Sequence, residues 1–91
     1  MKKIIWKFPL SEKGVQTFEL RKGYEILTLQ MQNGMPCIWV LLNPDEIILK
    51  ETFEIYGTGH EIHYDHSVNR EYVGTFQQDY FVWHLFKRIE S

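Results

Sequence analysis

The chain of 91 residues holds one cysteine, Cys37. A lone cysteine excludes an internal disulfide and fits a reducing compartment. Long apolar runs are missing as well. None approaches the roughly 18 residues that a membrane-crossing helix needs. A basic surplus is also lacking: ten Lys and Arg against twelve Asp and Glu leave a net charge of −2. General nucleic-acid binders normally carry excess positive charge, so that class is set aside. The opening Met1-Lys2-Lys3-Ile4-Ile5-Trp6-Lys7 has no apolar core or small-residue cleavage site of a secretory signal. The expected location is therefore the cytoplasm. Catalytic signatures are scarce too. Ser11, Ser67 and Ser91 stand outside any Gly-x-Ser-x-Gly elbow, and no acidic spacing singles out an acid/base pair. The balance is against an enzyme, and no cofactor is expected.

Aromatic side chains, by contrast, are abundant at 15% of the chain, within a hydrophobic fraction of 44%. Such a composition folds, and the length allows one domain over residues 1–91. Each large ring has ~150–250 Å² to hide, which strains a core of this size. Rings left on the surface would mark a meeting place, a second copy of the chain being the simplest partner.

The apolar pattern has the period of β-strands. Ile4, Trp6 and Phe8 alternate with Ile5 and Lys7 up to Pro9, and Val15–Leu20 alternates again. Asn33-Gly34 between two β-rich runs predicts a two-residue type I′ hairpin, since both residues tolerate positive φ. That turn pairs Leu27 with Val40, Leu29 with Ile38 and Met31 with Pro36 on an apolar face. It pairs Ile26 with Leu41, Thr28 with Trp39 and Gln30 with Cys37 on a mixed face. Asn43-Pro44-Asp45-Glu46 resembles a helix start, so at most one short helical turn is expected near 44–49. Thr52–Tyr56 alternates as a strand, and Gly57-Thr58-Gly59-His60 reads as a tight turn. A second hairpin, turning near Gln78-Asp79, would set Phe76 against Phe81, Gly74 against Trp83 and Tyr72 against Leu85. The expected fold is all-β: a small antiparallel sandwich or partly closed barrel of about seven strands.

Few residues offer chemistry. His60, His63 and His66, with Asp65 among them, could hold Zn²⁺ if the rings converged. On a strand, however, His60 and His63 point apart, and His60-Glu61-Ile62-His63 falls one residue short of the zincin spacing. A solvated loop is the expected state. A metal site on these histidines, serving a small His-dependent hydrolase, is the alternative. Gly57-Thr58-Gly59 could offer backbone N–H groups to a phosphate, but no helix is expected after it. Cys37, within a strand, reads as a structural thiol. His84 lies in the apolar run Phe81–Phe86 and reads either as a half-buried, hydrogen-bonded histidine or as a ring lining a pocket.

Trp6-Lys7-Phe8-Pro9-Leu10, Tyr56-Gly57-Thr58-Gly59-His60, Gly74-Thr75-Phe76-Gln77 and Val82-Trp83-His84 follow one another along the chain. In that order they resemble an uncharacterised family of short proteins from tailed bacteriophages and bacterial genomes. The resemblance covers nearly the whole chain. It carries no assigned activity, so no residue roles pass over. Together with the missing catalytic motifs and the aromatic surplus, it leads to the expectation of a small non-enzymatic binding protein, homo-oligomeric, acting on a host protein or sequestering a nucleotide-like ligand. A minor structural protein of the virion or its assembly is the second possibility. The candidate ligand surface is Thr58, Gly59, His60, Trp83 and His84.

Overall fold

The computed structural model describes residues 1–64 and 68–90. Among these residues there are seven β-strands and no helix: β1 (Ile4–Pro9), β2 (Val15–Arg21), β3 (Glu25–Gln32), β4 (Met35–Leu42), β5 (Ile48–Gly57), β6 (Val68–Gln78) and β7 (Phe81–Glu90). They form two antiparallel sheets, ordered β1-β4-β3 and β2-β5-β7-β6. The architecture is a sandwich and not a closed barrel. The helical turn allowed near 44–49 does not form. Asn43 instead caps a tight turn, its Oδ1 accepting from Asp45 N–H at 3.0 Å and its carbonyl from Glu46 N–H at 3.1 Å. From Ile48 the chain is claimed by ladders to β2 and β7, which outweigh one turn's helix propensity.

The β3–β4 hairpin turns at Asn33 (φ 51°) and Gly34 (φ 79°), as the Asn-Gly pair requires. Leu29–Ile38, Gln30–Cys37 and Met31–Pro36 pair as expected, and so do Thr28 and Trp39. Beyond them a bulge at Leu27 shifts the register. Ile26 takes the place opposite Val40, Glu25 faces Leu41, and Leu27 is left exposed. The β6–β7 hairpin is likewise displaced from the sequence expectation. Its two turn residues are Asp79, at φ 56°, and Tyr80, so Gln78 faces Phe81 and Phe76 faces Trp83. A second bulge at Val73 then sets Gly74 against Leu85 and Tyr72 against Phe86.

Leu10, Leu20, Ile38, Val40, Leu42, Phe53, Phe76 and Leu85 form the buried core between the sheets. Three edge-to-face rings cross it, Phe8 to Phe18 and Phe18 to Phe53, each at 5.6 Å. The two long sides of the sandwich differ. On one, β3 and β6 approach closely, and the Leu29 side chain rests on Gly74 where a Cβ would lie 3.0 Å from Leu29 Cδ2. On the other, β1 and β2 lack such an approach. Ile4, Trp6 and Phe8 share the face that Ile38, Val40 and Leu42 turn to the core, yet Trp6 keeps 58% of its surface in solvent.

Candidate functional site

The turn after β5 is built around glycine. His60 N–H donates to the Gly57 carbonyl at 3.0 Å, and Gly57 N–H donates back to His60 Nδ1 at 3.0 Å. The imidazole thus lies over Gly57, where a Cβ would come within 2.7 Å of the ring. Because Nδ1 accepts, the neutral ring carries its proton on Nε2. The same ring meets Trp83 edge to face at 5.9 Å. Gly59, at φ 89°, allows the reversal that returns His60 onto the strand.

Thr58 starts a second set of contacts. Its Oγ1 lies 2.7 Å from His84 Nε2 and 3.4 Å from the Val82 carbonyl. His84 Nδ1 in turn lies 3.0 Å from Thr75 Oγ1, which is bonded to the Tyr72 hydroxyl. One polarity satisfies every member with neutral His84. Tyr72 donates to Thr75, Thr75 to Nδ1, Nε2–H to Thr58, and Thr58 to the Val82 carbonyl.

Strand alternation divides the five-residue surface expected from sequence. Trp83 lies opposite Phe76 and packs against the core, together with His60 over Gly57. His84, opposite Thr75 and Tyr56, is on the outer face of the four-stranded sheet with Thr58. The two groups meet only at the strand ends, around a shallow hollow of about 260 Å³ bordered by Thr58, His60, Tyr80 and Trp83.

A larger cleft shares Phe81 and Trp83 with that hollow. It opens between the sheets at this end of the sandwich and has a volume of about 490 Å³. Leu10, Ile55, Phe76, Phe81 and Trp83 supply apolar walls, and Glu12 and Asp79 line it as its charged groups. Gln78 Nε2 donates to the Gly34 carbonyl at 3.1 Å and ties the two hairpins at its mouth. Phe81 and Trp83 stand 6.0 Å apart, and Tyr80 beside them is 96% exposed. The volume falls within the ~300–1,000 Å³ usual for ligand pockets.

A model for a domain of unknown function, DUF7352, matches residues 1–91. The chain belongs to the DUF7352 family. No curated protein and no solved structure matches it.

The DUF7352 chain also contains a polar cluster with no counterpart among the sequence candidates. Glu54, on the outer face of the four-stranded sheet, is only 2% exposed. It accepts from Arg70 Nε, from Arg88 Nε at 3.0 Å and Nη2, and from the Tyr56 hydroxyl at 2.9 Å. Burial alone would push its carboxyl up. The hydrogen bonds from Arg70, Arg88 and Tyr56 outweigh that and hold it below the usual carboxylate range. Tyr64 covers Arg70 with its ring 5.0 Å away. This cluster pins β5, β6 and β7 together, with Glu54 and Arg70 buried and Arg88 partly open to solvent. The 16- and 34-residue separations of Arg70 and Arg88 from Glu54, bridged only by the sheet, hide it in the sequence.

The remaining candidate residues of the sequence, where described, do not come together. His63 is exposed and 3.8 Å from Glu61. His66, with Asp65, lies outside the described residues. Among the described residues, no three His, Cys, Asp or Glu side chains converge as metal ligands. Cys37 is buried in β4 with its thiol 3.6 Å from the Met35 carbonyl.

Proposed function

We propose that this protein is a non-enzymatic binding module, and that the cleft at the Trp83 end of the sandwich grips a protein partner. The supporting observation is the cleft's chemistry. Its walls are apolar and aromatic, and its charged lining residues are the acids Glu12 and Asp79. A phosphate would meet two carboxylates there and no lysine, arginine or histidine, which disfavours the nucleotide alternative. A partner side chain that is aromatic or aliphatic, with lysine or arginine beside it, satisfies both features. Tyr80 and Phe81, projecting at the rim, are the residue types that anchor protein interfaces. In a phage-type protein working in the bacterial cytoplasm, such a partner is a host protein.

Selection from a random peptide library tests this. The bound peptides should share an aromatic or large aliphatic residue flanked by Lys or Arg. Their binding should fall by about tenfold or more in Phe81→Ser, as loss of an interface anchor does. No common motif, or equal binding by the variant, would sink the reading. The three tryptophans, labelled with fluorine, give a parallel check. Saturable movement of the Trp83 resonance by ATP or GTP would return the nucleotide in place of the protein partner.

A further inference from the structure

We infer that the open long side of the sandwich is covered by a second copy of this chain, with β1 of each copy continuing the sheet onto β2 of the other. This gives a surface and a pairing to the homo-oligomer expected from the aromatic surplus, and it does not depend on the cleft.

Three observations carry the inference. First, the exposure is in the wrong place for a finished monomer. Trp6 and Ile4 occupy core-facing positions of β1, yet Trp6 is 58% and Ile4 40% exposed, with Ile5 exposed on the opposite face. The corresponding inward residues of β3 at the closed side, Ile26 and Leu29, pack against the core. Second, β1 pairs with β4 alone and β2 with β5 alone among the described residues, so both strands offer an unpaired backbone edge.

Third, charge complementarity favours β2 as the partner strand. Lys2, Lys3 and Lys7 are the charged residues of positions 1–9, a local +3, whereas the remaining positions hold seven basic and twelve acidic residues, −5. An antiparallel β1–β1 contact centred on Ile5 would set Lys3 against Lys7, a like-charge pair that destabilises a ladder. Setting β1 against β2 of a second copy gives a different match. With Lys7 opposite Glu19, Trp6 falls opposite Leu20 and Phe8 opposite Phe18, inward residue meeting inward residue at both places. The exchange is reciprocal, so a two-fold axis closes the assembly as a dimer. Pro9, which has no N–H to donate, ends the ladder at the top of β1.

Sedimentation equilibrium and native mass spectrometry over a micromolar concentration series provide the first test, with a dimer expected. Trp6→Ser should raise the dissociation constant by about tenfold or more while leaving the far-ultraviolet spectrum of the monomer intact. Glu19→Lys should weaken the dimer, and adding Lys7→Glu to it should restore the association. Pairing is tested by oxidising an equimolar mixture of Lys7→Cys and Glu19→Cys chains, each carrying Cys37→Ser. The expected product is a covalent heterodimer of the two variants. Within one chain these residues point outward from opposite sheets and cannot bridge. A monomer at every concentration, a dimer indifferent to Trp6→Ser, or a covalent product from Lys7→Cys chains alone would each overturn the proposal.

Discussion

The two long sides of this sandwich are made from similar strands and end differently. At β3 and β6 a glycine lets the sheets touch. Gly74 has no side chain, Leu29 fills the space, and the outer face of β6 is bound down by Arg70 on Glu54. At β1 and β2 the bridging group is a pair of phenyl rings, Phe8 and Phe18, which hold the edges a ring's width apart. The next inward residue along β1, Trp6, has nothing comparable to cover it. A small sandwich thus closes where one sheet gives up volume. Where both sheets keep large side chains, it stays open, and that is the side on which the second copy is proposed to dock.

The contrast can be broken most severely at Glu54. Glu54→Gln leaves Arg70 buried, 8% exposed, without its counter-charge, and should cost about 3–5 kcal/mol in urea unfolding. The pH dependence has a definite sign. The folded carboxyl is held below its unfolded value of about 4.3. Its stabilisation is therefore complete above that pH and disappears as pH falls through the folded value. The gap between the natural protein and Glu54→Gln should narrow on acidification below about pH 4, as followed by unfolding curves at successive pH values.

Gly74→Val should come next, at about 2–3 kcal/mol, because a side chain there drives into Leu29. Pairing it with Leu29→Ala should recover part of the loss, and a double-mutant cycle measures how much. On the open side, Trp6→Ser in dilute monomer should cost only about 1–2 kcal/mol, for the minority of the ring that is covered. Tyr80→Ser, at the fully exposed tip of the second hairpin, should change stability by less than about 0.5 kcal/mol. If Trp6→Ser proved as costly as Gly74→Val, the distinction between the sides would fail.

Local chemistry made much of this fold legible. Asn33-Gly34 fixed a hairpin because its backbone needs positive φ at both positions, and the alternation of Ile4, Trp6 and Phe8 marked a strand with a core face. The bulges at Leu27 and Val73 leave no such mark, since each is decided by which neighbour best fills the core. The second turn lies one residue later than the sequence suggests because Asp79 takes a left-handed conformation without a glycine to announce it. Of the candidate site, His60 packs on Trp83 and Thr58 meets His84, two separate pairs. Joining all of them into one surface was not consistent with alternation, because neighbours such as Trp83 and His84 face opposite ways on a strand. Glu54 escaped notice for a related reason. An acid at an outward strand position looks the same in sequence whether solvent or two arginines surround it.

Backbone amide hydrogen exchange, followed strand by strand at dilute and concentrated protein, tests the contrast between the two sides most directly. The open-side edges, residues 4–8 and 16–21, should exchange quickly in dilute protein and become protected as concentration rises, while β3 and β6 keep the same protection throughout. Protection of β1 and β2 that is independent of concentration, or a concentration effect confined to β3 and β6, would contradict the account.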